Sequence, residues 1–184
     1  MKPHLYFIAI IPPAGVFAEI ETIKKEFSKK YSSHRALKSP VHITLQIPFR
    51  RMETIEKPLD RLLKVFTVLY QPFEIELNGF NHFHDKVIFI KVVENKNLDS
   101  LFGNLNIALR TQLNFSEQET PQRFNPHVTV AYRDLVPEQF KIAWEQFQHR
   151  GFSKTFSATK ISLLKHNSKF WEIINEFSFE GFSS

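Results

Sequence analysis

Cysteine is absent from the 184 residues. That excludes a disulfide framework, a thiolate metal site and a cysteine nucleophile, and it fits a reducing compartment, so a cytoplasmic location is expected. Glycine is scarce, with 5 copies, and none falls in a G-x-x-x-x-G-K, G-x-G-x-x-G or G-x-S-x-G pattern. ATP-driven ligation, dinucleotide chemistry and α/β-hydrolase chemistry therefore lose their usual sequence support. No run approaches the roughly 20 apolar residues that a membrane helix needs, so no membrane association is expected. The apolar stretch at residues 5–11 is cut short by Pro12 and Pro13, with no small-residue cleavage site after it. It reads as a first strand rather than a secretory signal.

What is present is enough to close one core. The chain is 42% hydrophobic, with 20 phenylalanines, most of which are expected to fill the interior. A single two-lobed domain over residues 1–184 is the expectation. Net charge is +5, a balance that attracts phosphates, RNA included, although the basic residues are spread along the whole chain.

Hydrophobic periodicity divides the chain. Residues 16–31 place Phe17, Ile20, Ile23 and Phe27 at helical spacing, and residues 54–70 and 98–113 repeat the pattern. Residues 41–47 alternate Val41, Ile43, Leu45 and Ile47 with His42, Thr44 and Gln46, as a half-buried strand does. Runs 73–77 and 87–93 read as a hairpin, residues 114–125 as a polar connector, 127–132 as a second alternating strand, 137–148 as a helix, and 156–164 with 170–179 as a closing hairpin. The order strand with His-x-Thr, helix, hairpin thus occurs twice. The two motifs are 85 residues apart and the hairpin starts, Phe73 and Phe156, are 83 apart. This regularity predicts a duplicated α+β architecture: two lobes, each an antiparallel sheet with helices outside, and a cleft between them.

The motifs themselves are Val41-His42-Ile43-Thr44-Leu45 and Pro126-His127-Val128-Thr129-Val130. Composition alone would give roughly 0.07 triplets of His, apolar, Thr, apolar in a chain of this kind, so two are not an accident. Alternation along a strand puts His42 with Thr44, and His127 with Thr129, on the face opposite the apolar residues. Both imidazoles are expected to face a solvated cleft. A histidine pair suits displacement at phosphorus, because one ring takes the attacking proton while the other protonates the leaving oxygen. Threonine hydroxyls can donate to the non-bridging oxygens.

In these paired motifs the chain resembles the 2H phosphoesterase superfamily, which includes bacterial 2′-5′ RNA ligases and cyclic phosphodiesterases. The likeness extends to the opening strand with its Pro-Pro exit and to Gly79-Phe80…Phe83 ahead of Val87. It implies His42 and His127 as catalytic residues, and Thr44 and Thr129 as phosphate-binding ones, with no cofactor or metal. Many relatives carry Arg directly after the second motif, whereas here Ala131 and Tyr132 precede Arg133. Strand parity would return Arg133 to the histidine face as a phosphate contact.

Weaker candidates lie near turns. Phe80, Phe83 and Phe124 are candidates for stacking a base, and Lys86, Lys165 and His166 for contacting a nucleotide. His82 and His84 sit in a predicted turn without a third ligand, so no metal is expected there. The resemblance implies a phosphoesterase acting at ribose 2′ phosphodiesters, opening 2′,3′-cyclic phosphates or forming 2′-5′ linkages, with RNA ends or small nucleotides as partners. A noncatalytic RNA-binding module and a phosphoesterase for a non-RNA metabolite share these residues. Nothing in the sequence points to an obligate protein partner.

Overall fold

The computed structural model describes residues 2–120 and 123–181. Eight strands and four helices follow one another in these: β1 (His4–Ile10), α1 (Ala14–Tyr31), β2 (Ile43–Arg51), α2 (Glu56–Thr67), β3 (Phe73–Phe83), β4 (Val87–Val92), α3 (Lys96–Leu113), β5 (His127–Tyr132), α4 (Pro137–Phe147), β6 (Ser153–Ala158), β7 (Lys160–His166) and β8 (Trp171–Ser178). Helix α1 starts just after Pro12-Pro13, buries Ile20, Ile23, Phe27 and Tyr31, and stops at Ser32 in the left-handed region. Helix α3 is capped by Asn95, whose side chain accepts from the Leu98 N–H at 3.0 Å.

The strands form two antiparallel four-stranded sheets, ordered β2-β1-β7-β8 and β5-β4-β3-β6. Place for place the orders match: each His-x-Thr strand is an edge, and its neighbour is the strand joined to it through a long helix, α1 or α3. The two helices are exchanged, with α1 packed against β5 and α3 against β2. One core runs through both sheets, from Tyr6, Ile8 and Leu45 on one side to Ile75, Ile90 and Val128 on the other.

The two lobes therefore exist, but their boundaries differ from the repeat in the sequence. Residues 156–164 are not one strand: the chain leaves one sheet at Ala158 and enters the other at Lys160. Strand β6 pairs with β3, so that Phe156 lies opposite Ile75. Phe73 and Phe156 thus belong to adjacent strands of one sheet, and their 83-residue offset does not relate the lobes. Hairpin β3-β4 also shares a sheet with β5 rather than with β2.

Smaller departures have local causes. Helix α2 ends at Thr67, so Leu69 leaves the apolar stripe and is 56% exposed. The connector is less polar in place than in sequence: Phe115 is buried against Phe49, and Thr120 is buried and accepts from Arg110 Nε at 2.6 Å. Pro121 and Gln122 of that segment lie outside the described residues. No helix among the described residues is long and apolar enough to cross a membrane.

Candidate active site

His42 immediately precedes β2 and His127 opens β5. In both motifs the ring Nδ1 lies 2.7 Å from the backbone carbonyl two residues earlier, Pro40 O for His42 and Asn125 O for His127. A carbonyl can only accept, so Nδ1 carries the hydrogen and Nε2 keeps its lone pair. The same local bond thus fixes the same tautomer at both sites. Between them Ile43, Leu45, Val128 and Val130 are buried, while His42, Thr44, His127 and Thr129 are half-buried, as strand alternation requires.

A cavity of about 500 Å³ opens between the two edge strands, lined by His42 and Thr44 from one side and by Thr129, Tyr132 and Arg133 from the other. His127 is not on its wall. Its ring packs beside the cavity on Phe83 and Phe89, at 4.9 and 5.0 Å between ring centres, close enough for its charge to act on His42. His42 rests on Phe7, at 4.8 Å. The histidines therefore sit in aromatic settings and are less solvated than the strand pattern predicts.

That setting has an electrostatic result. Burial pushes the His42 pKa down to about 4, and the Lys24 and His127 charges act in the same direction against the Pro40 carbonyl bond. Burial lowers His127 as well, opposed by the Asn125 carbonyl. Both rings are neutral at pH 7. Between pH 6.5 and about 4 the unfolded chain protonates residue 42 while the folded chain resists. This site therefore subtracts stability as pH falls through that window, by up to about 3 kcal/mol at its lower end, and has no such effect above it. A His42→Asn variant is expected to lose less stability than the native chain on acidification. Urea unfolding near neutral pH and again near pH 4.5 reads the difference; equal losses would contradict the assigned burial effect.

The strands do not alternate without interruption. In β5, Phe89 faces Thr129 but Ile88 faces Ala131, so Val130 is an extra residue and both it and Ala131 are buried. This bulge breaks the parity argument for Arg133. Arg133 still lines the cavity, because the strand ends at Tyr132 and Arg133 turns at φ 59°, with its guanidinium 4.7 Å above the Tyr132 ring. A comparable irregularity in β2 places Gln46 opposite Ile8 and Phe49 opposite Tyr6. Ile47 consequently turns outward, 40% exposed. Gln46 is buried under the connector, donating to Glu119 O at 2.7 Å.

The weaker candidates separate by position. Phe80 is 7% exposed, with its ring against Phe147 and Phe152, so no face is left for a base. Phe83 is half-buried beside His127, stacked on Phe89. Phe124 stacks face to face on Phe102, 4.1 Å between centres, and packs on the core rather than lining the cavity. Lys86 is exposed in the β3-β4 turn, off the cavity wall. Lys165 is held by Glu53 and Glu56, each at 2.8 Å, bonds that raise its pKa and occupy its ammonium. His166 packs edge-on against Trp171, whose indole reaches the cavity.

Sequence reasoning passed over Tyr132, Trp171, Arg35 and Lys38, all on the cavity wall. Only Tyr132 carried a signal, as a neighbour of the second motif. The others come from a turn after α1 and from the start of β8, where no period marks them. Among the described residues no group of three or more His, Asp or Glu is placed to hold a metal ion. His82 is accounted for by its contacts with Phe140 and Trp144 and by Nδ1 bonded to the His84 carbonyl at 2.7 Å.

Solved structures share this architecture. TT0787 of Thermus thermophilus superposes with a TM-score of 0.71 at 19% identity, over 97% of this chain and 99% of that one. Escherichia coli LigT in its apo form gives 0.68 at 17%, and LigT complexed with 3′-AMP 0.65 at 18%, both over 97% and 99% of the two chains. A search of curated proteins finds none that matches. The family described as the 2′-5′ RNA ligase superfamily matches residues 12–169, and with the paired motifs inside that span, this chain belongs to that superfamily of 2H phosphoesterases.

Proposed function

We propose that the chain is a metal-independent phosphoesterase acting at ribose 2′ phosphodiesters, with RNA ends or small nucleotides bearing a 2′,3′-cyclic phosphate as substrates. One observation carries the reading: the two His-x-Thr strands flank one cleft, with His42, Thr44 and Thr129 on its wall and His127 beside it, and both imidazoles have Nδ1 tied to a carbonyl two residues back. Solved relatives with phosphate, 3′-AMP and ATP support a nucleotide-binding cleft.

In hydrolysis, His42 Nε2 takes a proton from water as the water oxygen attacks phosphorus. The P–O3′ bond breaks, and O3′ receives a proton from His127 Nε2, leaving a 2′-phosphate. His42 is the base because burial is joined there by the Lys24 charge, so it yields its proton more readily than His127. The bound phosphate anion favours the protonated form of both rings, which restores the acid that the empty site lacks at pH 7. Thr44 and Thr129 hydroxyls donate to the non-bridging oxygens, and Arg133 adds a positive charge. With a 5′-hydroxyl in place of water, the same reversible step forms a 2′-5′ linkage.

The test is turnover of cyclic mononucleotides, cyclic-ended RNA and ADP-ribose cyclic phosphate, each with and without EDTA, with products read by ³¹P NMR. Activity that survives EDTA and yields a 2′-phosphate is expected. Loss on chelation with rescue by zinc or manganese would contradict it, as would a chain that binds these compounds and turns over none.

A further inference from the structure

The cleft carries more positive charge than one phosphodiester requires. Arg35 and Lys38 lie on a 3₁₀ turn, Arg35–Lys38, and line the same cavity as Thr44, Thr129 and Arg133. Among the described residues neither of these two cations, nor Arg133, is in a salt bridge. By contrast, Lys165, another candidate for nucleotide contact, is held by Glu53 and Glu56. Exposed cations kept unpaired at a cavity are available to an anion.

The turn that presents them is anchored directly to the residue two past the end of β5, Asp134. Asp134 Oδ1 accepts from the buried Ser33 hydroxyl at 2.9 Å, and Oδ2 accepts from the backbone N–H groups of His34 and Arg35 at 2.7 and 2.9 Å. The carboxylate thus binds the Arg35 backbone and leaves the guanidinium for the cavity. Three donors on one carboxylate, from a segment about 100 residues away, make a short, charge-assisted tie between the end of β5 and the turn after α1. Asp134 directly follows Arg133, so one local structure sets all three cations.

We propose that Arg35 and Lys38 form a second anion subsite, which takes a phosphate flanking the one held at Thr44 and Thr129, and that Asp134 is the positioning residue for it. The proposal rests on the phosphoesterase reading for what lies at the first position. It implies a preference for nucleotides with a neighbouring phosphate over mononucleosides bearing a single one.

Calorimetric titration of the full chain with adenosine 3′-monophosphate and with adenosine 3′,5′-bisphosphate at one fixed salt concentration measures this without turnover. The bisphosphate is expected to bind roughly tenfold tighter. The ratio should collapse towards one in the Arg35→Ala/Lys38→Ala double variant. It should fall in D134N, recover in D134E, and fall no further when D134N is added to the double variant; a merely structural aspartate would shift both affinities and leave their ratio alone. A native ratio near one, or a ratio that survives loss of Arg35 and Lys38, overturns the subsite. An unchanged ratio in folded D134N overturns the positioning role. Absence of turnover on cyclic phosphates would instead overturn the phosphoesterase reading and leave this comparison standing.

Discussion

Replacing either His42 or His127 by alanine is expected to lower kcat/KM for a 2′,3′-cyclic phosphate by roughly 10²–10⁴, since each change removes one proton-transfer group. On the proposed mechanism the loss should lie mainly in kcat, because the threonine hydroxyls and Arg133, proposed to hold the phosphate, remain. The double variant should be little worse than either single one, since half of an acid-base pair is of small use without the other. Stability must be measured alongside. His42 packs on Phe7, and His127 on Phe83 and Phe89, so alanine leaves a gap at either place as well as removing the chemistry. His42→Asn and His127→Asn fill much of that gap and serve as folded controls. Near-native turnover in either folded variant would end the acid-base account.

The second large effect belongs to the threonines. Thr44→Val and Thr129→Val keep the β-branched shape that suits a strand and remove only the hydroxyl. Each should cost on the order of 10-fold to 10²-fold in kcat, and the pair together up to about 10³-fold, as charge on the non-bridging oxygens loses its donors. Thermal unfolding should barely move, because both residues are half-buried on the cleft side. A pair of valines that changed KM alone would mean that the hydroxyls bind ground state and transition state equally.

The paired motifs were legible because strand alternation is a local rule. His42 and Thr44 share a face through their own backbone, and so do His127 and Thr129; no distant residue need be known. The bulges were not legible, since an extra residue such as Val130 is defined only by the partners of its neighbours, Phe89 and Ile88, some forty positions away. That is why Arg133 reaches the cavity by a left-handed turn and not by parity, and why Ile47 faces outward. The exchange of strands between sheets was hidden for a similar reason. Residues 156–164 contain no Gly, Pro, Asn or Asp to mark a break, and only pairing reveals that Phe156 and Ile161 lie in different sheets. Arg35, Lys38 and Asp134 come from turns, where the geometry is set by the tie between them and not by any period. The pairing of Lys165 was hidden because its partners, Glu53 and Glu56, are more than 100 positions distant.

The most direct test of the acid-base pair is the pH dependence of kcat/KM on a cyclic phosphate, for the native chain and for each single histidine variant. On the proposed mechanism the free enzyme reacts when one ring is neutral and the other protonated. With His42 near pKa 4 and His127 below 6.5, the native profile should be a bell with its maximum on the acid side of neutrality. The kcat profile should be displaced upward by the bound anion. Loss of one limb in His42→Ala and of the opposite limb in His127→Ala is the predicted result. Loss of the same limb in both, or a native profile without a bell, would contradict the pairing of these two histidines.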